Sequence, residues 1–409
     1  MKALLCIIFP FSFFSAIAQI EKESISIGSV QTIHSKILNE DRKIFVYSPQ
    51  NFGDIYEKPR YPVVYVMDGE AHFNSVVGIV EQLSEVNGNK ILPQMMVVGI
   101  ANTNRMRDLT PSHISKSISL DTTTLASTGG GENFTSFLEK ELIPYIDSNY
   151  TTAPYRTIIG HSLGGLMVMD ELLNHSKLFN AHIAIDPSMW WDNQKLLNQA
   201  KKDFSEKNFE NKTLFVAMAN TMKPGMDTLS VKSDTTENTE HIRSILELIN
   251  VLKINSQNKL KYNWKYYNDD SHGSVPLIAA YDGLRFIFRF ITFSLPNENN
   301  LNADSILFAL REHYKNVSLQ MGYNVTLPEA TLNGYGYSFL QKKDWAGSYK
   351  FFKLNTDLYP KSANVYDSMG DYFDTSGDAK KAIENYTKAL SIFGNQVTQE
   401  KLNNIKNKK

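Results

Sequence analysis

Residues 157–166 read TIIGHSLGGL, which sets Ser162 between Gly160 and Gly164. A serine in G-x-S-x-G spacing suits nucleophilic chemistry when a strand ends before it and a helix starts after it. The sharp turn then lifts the hydroxyl clear of the sheet edge. Chance alone gives the five-residue pattern in roughly one chain in ten of this length, so the surroundings decide. The competing reading makes the glycines a tight structural turn and nothing more.

Serine is a weak nucleophile and needs a base. Where such an elbow heads an α/β sheet, an acid and then a histidine follow it along the chain. Nine histidines are present, and five lie beyond the motif: His175, His182, His241, His272 and His313. His175 and His182 flank a helix–strand connection, His313 lies in a helical tail, and His241 opens the helical run HIRSILELINVL. His272 follows the strand-like KLKYNWKYY in the loop NDDSHGSVP. That is where a base belongs.

The acid is expected soon after the penultimate strand, LFVAMA (214–219). The loop behind it offers Asp227, Asp234 and, more remotely, Glu237. Asp227 follows Pro224-Gly225, which can fold the chain back toward the sheet, so it is preferred narrowly. Asp234 in DTTE also reads as an N-cap with a glutamate three residues on, a capping box worth about 1 kcal/mol to the helix behind it. Asp269 and Asp270 remain as local partners for His272. Two backbone N–H groups must meet the developing oxyanion. Leu163, directly after the serine, is one candidate. Glu70, behind Gly69 in VYVMDGEAHF, is the other.

These residues need a sheet to converge on. KIFVYSP (43–49) alternates as a half-buried strand does. YPVVYVM (61–67), MMVVGI (95–100), RTIIG (156–160), AHIAID (181–186) and LFVAMA are nearly continuous apolar runs, as in strands buried on both faces. Helical patterns such as ENFTSFLEKELIPYI (132–146) and GLMVMDELL (165–173) lie between them. The alternation predicts α/β architecture around a mostly parallel sheet. Ser162 would follow the third parallel strand.

Taken together and in order, YPVVYVMDGEAHF, VVGIANTNRMRDLTP, GGGENFTSFLEKELIPYI, GHSLGG, AIDPSMWWDN and DDSHGSVP resemble the "Putative esterase" family of α/β-hydrolases, over about residues 25–292. That family includes enterobactin and salmochelin esterases, esterase D, and feruloyl and acetyl-xylan esterases. The resemblance implies the α/β-hydrolase fold and ester hydrolysis through an acyl-serine, with Ser162 as nucleophile and His272 as base. It does not fix the acid. DPSMWWDN and RMRDLTP look closest to the siderophore-esterase branch, with a feruloyl or acetyl-xylan carbohydrate esterase as the rival and a non-catalytic binding module as the reading of another class.

Trp190 and Trp191 are candidates for a wall of the acyl pocket, or else an aromatic pair capping the core. Arg105 and Arg107 are candidates for holding an anionic substrate, or else members of a surface ion-pair cluster. GGGENF (129–134) lacks the Gly-Lys-Ser/Thr ending of a phosphate loop and reads as a turn. No His/Cys/Glu set has metal-ligand spacing, so neither metal nor cofactor is expected.

The 409-residue chain is 42% hydrophobic and 21% charged with formal net charge −1, which gives no reason to expect nucleic acid as a partner. Lys2 precedes the apolar stretch ALLCIIFPFSFFSAIAQ, with Ala16-Ile17-Ala18 before Gln19. This layout predicts a secretory signal over residues 1–18, removed to leave a periplasmic or secreted protein. The sole cysteine, Cys6, would leave with it. No other segment has the length and apolarity of a membrane span. The esterase unit is expected over 19–295. Pro296 and the Asn-rich stretch to Asn302 read as a linker, and 303–409 as a helical unit. A shift of 34 residues pairs Gly336 with Gly370, Phe339 with Phe373, Asp344 with Asp378 and Phe352 with Tyr386. Period and residue types resemble tetratricopeptide repeats over about 329–394, although Ser348 and Asn355 stand at two positions where small apolar residues are usual. Such a unit implies docking of a protein or peptide partner.

Overall fold

The computed structural model describes residues 24–49, 59–116, 120–295 and 301–407. The expected signal segment and residues 296–300 of the expected linker lie outside these. Eight strands form one sheet: β1 (Ser29–Ser35), β2 (Glu40–Tyr47), β3 (Tyr61–Val66), β4 (Met96–Ile100), β5 (Thr152–His161), β6 (Ala181–Ile185), β7 (Thr213–Ala219) and β8 (Lys261–Tyr267). Their order is β1-β2-β4-β3-β5-β6-β7-β8. From β4 to β8 every pairing is parallel, while β1 and β2 are antiparallel to their neighbours. This is the α/β-hydrolase fold, followed by a helical C-terminal region.

The continuous apolar runs have a simple cause. Successive side chains of a strand point to opposite faces, and both faces here are covered. Val63 and Tyr65 pack in the same cluster as the helices Leu163–Asn174, Trp191–Glu206 and Glu240–Ile254. Val64 and Val66 pack on the other face with the helices Gly69–Ser84 and Val275–Ile287. β1, with an exposed and alternating pattern, is the described strand that no stretch singled out in the sequence announces.

Burial of one strand residue has a measurable consequence. His182 lies wholly buried in β6, and loss of hydration, reinforced by the charge of Lys212, pushes its pKa down to about 3. A histidine with a folded pKa below its unfolded value binds fewer protons folded than unfolded. Its effect is therefore nil above about pH 6.5 and becomes destabilising as pH falls toward the folded value. His182→Leu removes this liability. In urea melts at pH 7 and pH 4.5, wild type is expected to lose about 2–3 kcal/mol more than the variant. Equal losses would contradict this account of His182.

Beyond the sheet, the helix Ala303–Met321 returns to the domain. Its Val317 and Met321 join the second-face core, and His313 Nε2–H donates to the Ile291 carbonyl at 3.1 Å. The helix pair Glu329–Gln341 and Trp345–Leu358 is then repeated, 34 residues on, by Ala363–Ser376 and Ala379–Ile392. A Cβ at Gly336 would sit 2.5 Å from the Phe352 ring, and one at Gly370 would sit 2.4 Å from Tyr386. Both glycines let an aromatic ring lie on the helix backbone. Ser348 spends its hydroxyl on the Gly336 carbonyl at 2.9 Å, and Asn355 Nδ2–H donates to the Glu329 carbonyl at 3.2 Å. The two departures from small apolar residues are thus absorbed by hydrogen bonds between the paired helices.

Candidate active site

β5 delivers Ser162 to the C-terminal edge of the sheet, between β3 and β6. The serine has φ 61° and ψ −116°, a conformation costly to a residue with a side chain and held here by its surroundings. Its N–H donates to the Ile185 carbonyl at 3.0 Å, and its own carbonyl accepts from Ser188 N–H at 3.0 Å. The glycines make that turn possible. A Cβ at Gly160 would fall 2.2 Å from the Gly164 carbonyl oxygen, and one at Gly165 would meet the Ile185 carbonyl and Pro187 at 3.0 Å. The turn cannot close so tightly with larger residues there.

His272 enters from the loop after β8. Its Nδ1–H donates to Asp186 Oδ2 at 2.6 Å, with the ring 41% exposed and the carboxylate side chain fully buried. Asp186 stands directly after β6, at φ 43°, with Oδ1 accepting from Ala219 N–H at 2.9 Å. His241 Nε2–H also donates to Asp186 Oδ2, at 2.8 Å. Burial alone would raise the Asp186 carboxyl pKa. The hydrogen bonds from His241 and His272 outweigh it and hold the group well below the usual carboxylate range. The carboxylate is therefore anionic at neutral pH. Behind His272 stands His161, ring centroids 4.4 Å apart. Burial, with the neighbouring His272 and His72, pushes the His161 pKa down to about 4, so that ring is neutral at working pH.

Ser162, His241 and His272 open onto a cleft of about 910 Å³, lined also by Ser188, Trp190 and Lys116. Ser188 Oγ lies 3.4 Å from Ser162 Oγ.

The expected acid is not among the residues brought together. Asp227 is exposed and folds its carboxylate onto its own turn, accepting from Leu229 N–H at 3.0 Å, Ser230 N–H at 2.7 Å and the Ser230 hydroxyl at 2.8 Å. Those bonds lower its pKa, and no histidine among the described residues is one of its partners. Asp234 caps its own turn through Thr236 N–H. Asp269 accepts from Asn268, and Asp270 from Ser274. Asp186 takes the position instead, one strand earlier than expected. The signal for it was present: an aspartate ending the buried run AHIAID, ahead of a proline, on the strand that follows the serine.

The other expected residues divide. Leu163 opens the helix after Ser162 and Glu70 lies in the first turn of Gly69–Ser84, so neither amide has an acceptor within its own helix. Asp68, just before that second turn, packs beside Gly164, which brings the two helix starts together. The Glu70 carboxylate accepts from Asn102. Trp190 lines the cleft, whereas Trp191 is buried with its indole N–H on the Ser112 carbonyl at 3.0 Å. Arg105 is committed to Asp68 through two hydrogen bonds of 2.7 and 3.0 Å and reaches the His161 carbonyl. Arg107 is likewise committed, to Glu40 and Asp108. Both guanidiniums are thus paired with carboxylates of the fold.

Residues 35–275 match the model of the family described as "Putative esterase". The chain belongs to that family. This esterase is 29% identical over 241 residues to ferri-bacillibactin esterase BesA of Bacillus subtilis, covering 55% of this chain and 78% of that one. It is 30% identical over 138 residues to the apo-salmochelin esterase of Escherichia coli, covering 32% and 42%. Among solved structures, an IroE-like serine hydrolase from Shewanella oneidensis superimposes with TM-score 0.67 at 28% identity, covering 81% of this chain and 99% of that one. The esterase is a serine hydrolase of carboxylic esters. No helix among its described residues is long and apolar enough to cross a membrane.

Proposed function

We propose that this esterase hydrolyses siderophore-type esters with Ser162, His272 and Asp186 as its triad. The observation that carries the assignment is the 2.6 Å bond to a buried carboxylate from Nδ1 of His272, whose ring lines the same cleft as Ser162. With Nδ1–H engaged, His272 Nε2 is the nitrogen free to accept a proton. It takes the Ser162 proton as Oγ attacks the ester carbonyl. The oxyanion meets the N–H groups of Leu163 and Glu70, and the imidazolium protonates the departing alcohol. Water, deprotonated by the same nitrogen, then releases the acid and restores the serine.

The substrate class is supported by relatives named for siderophore esters and by a cleft large enough for a bulky acyl group beside Trp190. The helical tail, with its repeated hairpins, is proposed as a docking unit without chemistry of its own. Residues 1–18 are proposed to direct export, which would place hydrolysis outside the cytoplasm. The test of the substrate is a panel of a catecholate trilactone, a feruloyl sugar and an acetylated xylan oligomer. The trilactone is expected to lead in kcat/KM by roughly tenfold or more. Preference for either sugar ester would replace the siderophore reading with a carbohydrate one.

A further inference from the structure

A histidine serving as base needs one carboxylate partner, and Asp186 has two imidazoles on one oxygen. His272 Nδ1 and His241 Nε2 lie 2.6 and 2.8 Å from Oδ2, with ring planes at 90° and centroids 5.1 Å apart. His241 comes from a different element, the start of the helix Glu240–Ile254, and its ring also lines the cleft. The three donor atoms lie within 4.8 Å of one another. Ligands around a tetrahedral zinc with bonds near 2.0–2.1 Å stand roughly 3.3 Å apart, however, and both nitrogen–oxygen separations here are shorter. These are hydrogen bonds, each with a proton between its atoms.

We propose that His241 is a positioning residue that acts on the base through Asp186, fixing the carboxylate and drawing off part of its charge. The inference rests on the proposed triad. An N–H donated to Oδ2 by His241, neutral or protonated, weakens the pull of that oxygen on the His272 imidazolium. The negative charge that Oδ2 presents to His272 is therefore smaller than an unshared carboxylate would give. The other groups facing this pair are His161 stacked on His272, with His72, Asp68 and Arg105 behind it. Across the cleft stand Glu237, Glu240, Asp192 and Lys116, and the His272 loop adds Asp269 and Asp270. Among the described residues, His241 and His272 are the donors that meet Asp186 Oδ2.

The test is the pH profile of kcat/KM on a short acyl nitrophenyl ester for wild type, His241→Phe and His241→Gln. Phenylalanine keeps the ring and loses the donor. Glutamine restores an N–H at about the reach of Nε2. In His241→Phe the acid limb is expected to move up by roughly half to one pH unit. The plateau is expected to fall roughly tenfold, the worth of one hydrogen bond to a charged group. His241→Gln is expected to recover most of both. A fall in plateau with an unmoved limb, or a shift that glutamine fails to reverse, would overturn the inference. If His241→Phe does not fold, ¹⁵N-imidazole spectra of wild type decide. A proton on His241 Nε2 and on His272 Nδ1 at neutral pH is expected, and a bare His241 Nε2 would refute the role. His272→Ala separates this inference from the triad itself. If that variant keeps full activity, the triad reading falls. If it is inactive while His241→Phe retains the wild-type profile, only the inference falls.

Discussion

Asp186→Asn is expected to lower kcat on a short acyl nitrophenyl ester by about four orders of magnitude, the size of the loss in the best-studied triad. The cause is tautomeric. An asparagine amide can donate to His272 Nδ1, which then carries no proton and leaves the proton on Nε2, where the Ser162 hydroxyl must deliver its own. Asn also removes the negative charge that stabilises the imidazolium as it forms. Ala219 N–H would still hold the remaining side-chain oxygen, so the fold is expected to survive and the loss to appear in kcat. Asp227→Asn is the internal control. Its carboxylate is exposed and closes only its own turn, so kcat is expected to stay within about twofold of wild type. A large loss at Asp227 with none at Asp186 would reverse the assignment.

The reason Asp227 looked suitable and Asp186 did not lies in what a linear pattern encodes. The strand, the glycine-flanked serine and the helix are contiguous, so steric demands at Gly160 and Gly165 are legible as residue types within a few positions. His272 was legible for a similar reason, since the run before it ends one strand and the loop is short. The carboxylate that meets His272 comes from a different strand, and either β6 or β7 could have supplied one, because both end at the same sheet edge. Sequence places an aspartate at a strand end but does not say which way its carboxylate turns. At Asp186 that direction follows from φ 43° and from Ala219 N–H on the neighbouring strand, both products of the assembled sheet. In sequence His241 is a helix start without a strand before it, so nothing local marks it. Its partner lies 55 residues away in the chain.

Neighbouring residues of like type also diverged. Trp190 and Trp191 are adjacent, yet one lines the cleft and the other is buried against Ser112, because the chain turns between them. Arg105 and Arg107 carry charges that suggest a substrate contact. Their acidic partners, Asp68, Glu40 and Asp108, sit on other segments, and only the fold brings them within reach. The tail was more legible. Its period survives in the helix boundaries, and Gly336 and Gly370 are each explained by the aromatic ring of the hairpin partner.

The central claim is that Ser162 becomes acylated, and covalent labelling tests it most directly. The fold holds this serine in a costly conformation at a sheet edge, with two helix N-termini nearby and His272 opening onto the same cleft. That arrangement predicts a nucleophile, since a purely structural turn has no need of it. A fluorophosphonate is expected to add once per chain, and the adduct is expected to map to Ser162. Ser162→Ala is expected to take no label and to lose about 10⁶ in kcat on the nitrophenyl ester, as in a hydrolase stripped of its nucleophile. If Ser162→Ala were labelled and turned over the ester as wild type does, the serine would not be the nucleophile, and the site described here would not be the active site.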